Sequence, residues 1–397
     1  MLWPPICSST TIERPFVNHD HAIELTLHFT RISDKTHWLF VELTLGDGRK
    51  GIGEATLPGK DALVLAAAQL LADHALQARW QQPSVFATTH SPTDLANAAF
   101  ISAVDHALWD LYARDAGKSV CQMLGGAHRP HVPLYANINR RTVERTPAAF
   151  AQSAFGAIAA GFQAFKIAPF DEVQPGHASM DSARYGIARV EAVRQAIGPE
   201  RRLMVDCHWR FNEATATELI TEMARLDVHW VECPIAESFD NIAALVRLRG
   251  RANALGVKLA GLELAIGLDG FMPYVTAGAY DVVMPDVKYF GGLQAMQRAA
   301  DVFDRYDVQV SPHNPTGPVC HAASLQVAAA MGPLDMLELQ FDESPLFGAL
   351  VNGAFTEQSS NLSALPLQPG LGVHLNAVQL QQLAAQPLSH WRAPVTI

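Results

Sequence analysis

The chain has 397 residues, 49% of them hydrophobic and only 17% charged. That composition excludes a disordered polyelectrolyte and suits one large core with a smaller accessory domain. The 29 basic residues stand against 39 acidic ones, a formal charge of −10, so neither nucleic acid nor an anionic membrane surface is an expected partner.

The five cysteines are scattered and form no C-x-x-C pair. This argues against a disulfide scaffold or a structural zinc site and makes a reducing cytoplasm the expected compartment. The opening MLWPPICSSTTIERPF does not read as a secretory signal, and no apolar run reaches the roughly 18–20 residues that span a bilayer.

Residues 1–125 read as a mixed α+β unit. Within LFVELTLGDGRKGIGEATL (39–57), two alternating strands flank Gly46-Asp47-Gly48, which predicts a hairpin. In LANAAFISAVDHALWDLYARDAG (95–117), Phe100, Val104, Leu108 and Leu111 recur at helical spacing, and Gly117 can end the helix. From about residue 131 the rhythm changes. VPLYAN, FKIAP, LMVDC, VHWVECP, VKLAGLE, YDVVMPD, VQVSPH and LDMLELQ are short apolar segments, with helices expected between them at 186–200, 241–256 and 291–307. Eight such segments favour a (β/α)8-type barrel. An open doubly wound sheet is the alternative, weakened by the lack of a glycine-rich dinucleotide loop or phosphate-binding lysine loop. The tail, 352–397, lacks the barrel period, and its LGVHLNAVQLQQLA can add a strand and short helix to the N-terminal unit.

Acidic residues stand at successive strand ends. Asp206 closes LMVD, Glu232 closes HWVE and Glu263 follows KLAGL, so all three should converge at the C-terminal mouth of a barrel. Three crowded carboxylates repel and tend to take up protons unless a divalent cation relieves them. Oxygen-only ligands favour Mg2+, with Mn2+ the alternative. Unrelated solvent-facing acids are a weak account of three in consecutive units.

Five further residues carry candidate chemistry. If strand geometry persists past Asp206, the period of two sends His208 to the same mouth, as a proton donor or as a packing partner. His313 ends VQVSPH one strand beyond Asp286. Asp286 can fix the tautomer of His313 and make its other nitrogen a base; an ordinary loop histidine is the alternative. Lys166 points inward or to solvent. Glu338, if protonated, hydrogen-bonds a developing enolate oxygen, or else makes a structural bond that closes the barrel.

Asn137, Asn139, Asn314 and Arg210 are candidate substrate-binding residues, with loop capping or bridging as alternatives. Ser311 lacks a neighbouring base of the nucleophile-elbow type. Cys207 and Cys233 are expected to pack, and Trp109 and Trp230 to anchor the core. His19 and His21 either cover the site or occupy a polar loop.

Taken in order, FKIAP, VDCHWR, VECP, AGLE, MPDVKYFGG, VSPHNPTGP and LELQ resemble the enolase superfamily. The likeness is to its mandelate racemase-like subgroup and, within that, to acid-sugar (galactonate-like) dehydratases. The resemblance implies an α/β fold, a modified (β/α)7β TIM barrel at 126–351, under an α+β capping domain made of 1–125 and completed by 352–397. It implies Mg2+ on Asp206, Glu232 and Glu263, a His313–Asp286 base, and Glu338 as the acid on the enolate side. It makes His208 the group that expels the β-hydroxyl. In one respect the chain departs from the family: many members carry two lysines one residue apart on the second strand, and here Ala168 stands where the second would be. Lys166 is then left to bind the substrate carboxylate or stabilise the enolate. Lys288, next but one after Asp286, has no assigned role.

The implied reaction is dehydration of a hydroxylated carboxylic acid, a sugar acid, through an enediolate to a 2-keto-3-deoxy acid. Epimerisation, racemisation or cycloisomerisation of a related acid, hydroxyproline-like acids included, is the alternative within enzymes. A nonenzymatic ligand-binding barrel is the alternative outside them. The expected partner is a small-molecule carboxylate. A homo-oligomer is compatible with the resemblance, and residues 16–30 and 54–60 are expected to be specificity loops.

Overall fold

The hairpin at Gly46-Asp47-Gly48 is present in the computed structural model, which describes residues 7–13, 21–33, 36–353, 361–366 and 368–384. Strands β1 (Cys7–Glu13), β2 (Ala22–Arg31), β3 (His37–Leu45) and β4 (Lys50–Glu54) form an antiparallel sheet in that order. Residues 22–30, expected within a specificity loop, therefore belong to a central strand, β2. Leu25 and Leu27, two apart, are both buried, the alternation that drives one face of a strand into a core. His19 and the rest of 16–20 lie outside the described residues. The His21 backbone bridges to Arg79.

Helices α1 (Asp61–Gln77), α2 (Pro83–Thr89) and α3 (Leu95–Asp115) follow, then the short α4 (Val120–Met123). Asp94 caps α3 by accepting the Ala96 and Asn97 N–H groups, which satisfies donors that the first turn leaves free. β4 lies directly on α3. At Gly51 and Gly53 a Cβ would run into the Ala107 and Ala103 carbonyls, so this contact requires glycine.

Seven strand–helix units come next: β5 (His131–Asn137) with α5 (Pro147–Ala159), β6 (Ala164–Ile167) with α6 (Met180–Ile197), and β7 (Arg202–Asp206) with α7 (Glu213–Arg225). They continue through β8 (Trp230–Glu232) with α8 (Ile242–Asn253), and β9 (Lys258–Gly261) with α9 (Gly267–Ala277). The last are β10 (Val282–Val283) with α10 (Leu293–Asp304), and β11 (Gln309–Val310) with α11 (Pro318–Ala330), before β12 (Leu337–Gln340). These strands pair in the order β11-β10-β9-β8-β7-β6-β5-β12. The two ends meet where the Asp335 N–H donates to Val310 O (2.8 Å) and the Glu338 N–H to Pro312 O (3.3 Å). The sheet thus curls into a (β/α)7β barrel. Tyr135, Ala164, Met204, Trp230, Ala260, Val282, Met284 and Met336 form its buried filling, and the next inward position along several strands carries a charge.

The tail contains α12 (Leu346–Ala349), β13 (Val351–Gly353), β14 (Leu362–Ala364), β15 (Val373–Leu375) and α13 (Ala377–Ala384). The strand and helix expected in LGVHLNAVQLQQLA are β15 and α13; β15 pairs with β13 and α13 lies against β1. β14 instead pairs with barrel strand β5, a contact that the tail's sequence pattern does not suggest. Among the described residues no helix is long and apolar enough to cross a membrane.

Buried polar groups join the N-terminal sheet and helices to the barrel. Glu54, at the end of β4, accepts the Thr316 hydroxyl and the Gly317, Val319 and Cys320 N–H groups at 2.7–3.1 Å, closing the N-terminus of α11. Residues 54–57, expected in a specificity loop, are consequently buried. From α3, Asp105 accepts the Leu293 N–H at 2.8 Å and His106 Nε2–H donates to Val287 O at 3.2 Å. Because Gly53 has no room for a methyl group, Gly53→Ala should lower unfolding stability by about 2 kcal/mol or more. Chemical denaturation would read this, and an unchanged midpoint would contradict the close β4–α3 approach.

Candidate active site

The inward-facing set one step above the barrel filling contains Lys166, Asp206, Glu232 and Glu338. The period of two along a strand produces it: Met204 precedes Asp206, Trp230 precedes Glu232 and Ala164 precedes Lys166, each by two residues. Asp206 and Glu232 are direct neighbours in the parallel ladder. One oxygen from each of Asp206, Glu232 and Glu263 lies within 4.8 Å of the others, and all three side chains are buried. The backbone beside each is left-handed: φ is 46° at His208, 46° at Cys233 and 71° at Leu262. Non-glycine residues take up such angles at a cost of about 1 kcal/mol or more each.

Glu237 braces these turns. Its carboxylate accepts the Leu262 N–H (2.7 Å), the Trp209 indole N–H (2.9 Å) and the Tyr280 hydroxyl (2.7 Å).

Burial, with Asp206 adding to it against the pull of Lys166, raises Glu232 to about 7. Burial and the charges of Asp206 and Glu232 push Glu263 well above the usual carboxylate range. Asp206 is also pushed up by burial, but His208 and Lys166 outweigh that and hold it low. The donors are all carboxylate oxygens, and Glu263 Oε2 is buried without a hydrogen bond. These residues fit a hard divalent cation.

A histidine touches the carboxylate at each end of the triad. His208 Nε2 lies 2.8 Å from Asp206 Oδ2, and the His208 backbone N–H donates to Asp206 Oδ1 at 2.9 Å. The strand ends at Asp206, so the expected alternation does not continue. His208 reaches the mouth because it and Trp209 turn left-handed, and its ring is 42% exposed. The Asp206 charge raises the pKa of His208. At the other end, His313 Nε2 is 3.3 Å from Glu263 Oε2, and Nδ1 lies 2.7 Å from Asp286 Oδ2. Burial keeps His313 below the ordinary imidazole value, against the pull of Asp286. This favours the neutral ring, and a proton on Nδ1 would be donated to Asp286.

Lys166 points inward. Its ammonium lies 2.7 Å from Glu232 and 2.9 Å from Glu338, and these two charges outweigh burial and raise its pKa. Glu338 also accepts the Asn137 amide (2.6 Å) and the Asn314 N–H (2.9 Å). Burial pushes Glu338 up, but Lys166, His313 and these donors hold it below the usual range. In this arrangement it is an acceptor, and acting as a donor to an enolate oxygen would require it to gain a proton.

The other candidates separate. Asn137 sits in the cavity wall on Glu338. Asn139 Oδ1 is taken up by Arg145 (2.8 Å) and the Ala168 N–H (3.3 Å), Arg210 ties down Val173 O (2.7 Å), and Asn314 bonds Ser324 and His321 in the buried framework. Ser311 donates to Met336 O. Cys207, Cys233 and Trp109 are buried packing residues. Trp230 packs in the barrel too, yet its indole N–H also donates to Glu232 Oε2 at 3.1 Å, which no sequence signal disclosed. Glu54 and Glu237 were likewise missed, since their partners lie on distant loops.

A parallel barrel with an acidic triad at its strand ends and a histidine–aspartate pair beside it is an arrangement suited to a metal-dependent enzyme. Residues 149–379 match the enolase C-terminal domain-like family, and residues 15–125 match the N-terminal domain of mandelate racemase/muconate lactonizing enzymes. The chain belongs to this family of the enolase superfamily. It is 30% identical over 361 residues to D-gluconate dehydratase of Thermoproteus tenax, covering 88% of this chain and 70% of that one. To D-galactonate dehydratase of Xanthomonas oryzae pv. oryzae (strain PXO99A) it is 28% identical, covering 90% and 94%. The structure of 3,6-anhydro-D-galactonate cycloisomerase from Zobellia galactanivorans superposes with a TM-score of 0.75 at 23% identity, covering 89% and 99%, a likeness of fold alone.

Burial and mutual repulsion favour the protonated forms of Glu232 and Glu263 when no cation neutralises them, so cation binding would displace protons. Divalent-cation affinity should therefore rise as pH climbs from about 5 toward 8, its slope easing above the Glu232 value of about 7. Titration calorimetry across that range would test this, and a flat profile would remove these carboxylates from the ligand set.

Proposed function

We propose that the protein is a hydro-lyase that converts a sugar acid, through an enediolate, to a 2-keto-3-deoxy acid, with Mg2+ as its cation and Mn2+ as a substitute. One observation carries this: a neutral, aspartate-held histidine and a second, half-exposed histidine stand at opposite ends of one carboxylate triad. Dehydration needs a base for a carbon-bound proton and an acid for the departing hydroxyl, and this pair can divide those two functions. The activities named for the Thermoproteus and Xanthomonas relatives support the same reaction class.

Asp206, Glu232 and Glu263 would hold the cation, which when bound supplies positive charge beside a substrate carboxylate whose own charge doubles during the reaction. His313 Nε2 takes the α-hydrogen while Asp286 holds the Nδ1 proton and the ring's orientation. His208, beside Asp206, protonates the β-hydroxyl as it leaves. Lys166 keeps its charge next to Glu232 and Glu338, adding a fixed positive group to the cavity. Glu338 is proposed as the acid on the enolate side, a role that requires a proton it does not hold here. Ala168, just past the end of β6, offers no second base, which weighs against epimerisation through two opposed bases. Residues 1–125 with 352–397 are proposed as the cap over a barrel at 126–351, joined to it by Glu54, Asp105 and His106.

A stereochemically diverse panel of aldonic acids, supplied with Mg2+ and assayed for 2-keto acids, tests the reaction; no keto acid from any member would contradict it. With the acid that turns over, His313→Asn should lose α-deuterium exchange and dehydration together, on the order of 10²–10⁴-fold. His208→Asn should lose dehydration while retaining exchange. Unimpaired elimination in the His208 variant would exclude it as the acid.

A further inference from the structure

Lys288 is 1% exposed, a lysine buried as deeply as the catalytic dyad itself. Its ammonium lies 2.8 Å from Asp286 Oδ2, the same oxygen that faces His313 Nδ1 at 2.7 Å. Its backbone N–H donates to the other oxygen, Oδ1, at 2.8 Å. Asp286 is thus held on both oxygens by one residue, and His313 shares what remains. The segment cannot drift: His106 Nε2–H grips Val287 O on one side and Asp105 receives the Leu293 N–H on the other.

An isolated carboxylate at this depth would be strongly disfavoured and would tend to take up a proton. A protonated Asp286 would no longer demand the His313 proton on Nδ1. It could equally donate to that nitrogen, leaving the ring proton on Nε2, where the base must be bare. The ammonium prevents this by supplying a permanent counter-charge within the dry interior.

We propose that Lys288 is a positioning residue that holds Asp286 in place as an acceptor and thereby fixes the His313 tautomer whose Nε2 is free to take a proton. The inference rests on His313 being the base, but its central test needs no substrate.

Protein labelled with 15N at histidine, with Mg2+ and without substrate, would be compared as wild type, Lys288→Met and Lys288→Gln by NMR, with His313→Asn identifying the His313 signals. Wild type should show one His313 tautomer, protonated at Nδ1. Both Lys288 variants should show a mixture of tautomers or exchange-broadened signals, while Mn2+ affinity stays within about threefold because the triad is untouched. The glutamine variant guards against a methionine variant that does not fold. An unchanged Nδ1-protonated tautomer in either folded variant would overturn the proposal.

In turnover of the aldonic-acid panel, Lys288→Met should reduce kcat on the order of 10–100-fold with little change in KM. The variant carrying both Asp286→Asn and Lys288→Met should be no slower than Asp286→Asn alone, since Lys288 acts through Asp286; penalties that multiply would contradict that route. The base assignment is judged separately, by α-deuterium exchange in His313→Asn.

Discussion

Crowded negative charge is the constraint around which this molecule is organised. Asp206, Glu232, Glu263, Asp286 and Glu338 are all buried at one end of the barrel, where water cannot screen them. Lys166 and Lys288, equally buried, offset two of those charges, and a divalent cation would offset two more. The lysines are separated by place: Lys166 sits between Glu232 and Glu338, and Lys288 lies on Asp286. Without a cation, the remaining imbalance falls on Glu232 and Glu263 and shifts both toward their protonated forms.

Keeping such groups together requires a rigid frame, and the fold supplies two. The barrel itself sets the triad, through adjacent strand ends and three left-handed turns that Glu237 braces. The loops bearing Asp286 and His313 are instead seated partly by groups from outside the barrel, namely Glu54 on the start of α11 and Asp105 and His106 on the segment 287–293. The N-terminal unit therefore does more than sit above the mouth. Its buried polar groups hold the backbone that carries Asp286 and His313, so the carboxylate triad and the His313–Asp286 pair have different supports.

Strand ends were legible because a period of two and a regular repeat are properties of the chain itself. Asp206, Glu232, Glu263, Asp286 and His313 could be placed from local pattern, and their convergence follows from barrel geometry. Chain reversals and distant partners were less legible. His208 reaches the mouth although the strand stops before it, because two left-handed residues redirect it. Glu54 looked like loop because its partners lie more than 260 residues away, and β2 looked like loop because its neighbours in the sheet were not evident. The ionisation of Glu338 depends on Lys166, Asn137 and Asn314 meeting it at once, which no single segment discloses. Trp230 was readable as an apolar anchor, yet its indole N–H on Glu232 emerges only from the three-dimensional arrangement.

The most direct measurement is anomalous diffraction from crystals grown with Mn2+. A single peak at bonding distance from one oxygen each of Asp206, Glu232 and Glu263, with His208 and His313 flanking it, is the predicted result. A peak elsewhere, or none at saturating Mn2+, would contradict the claim that these three carboxylates share an ion.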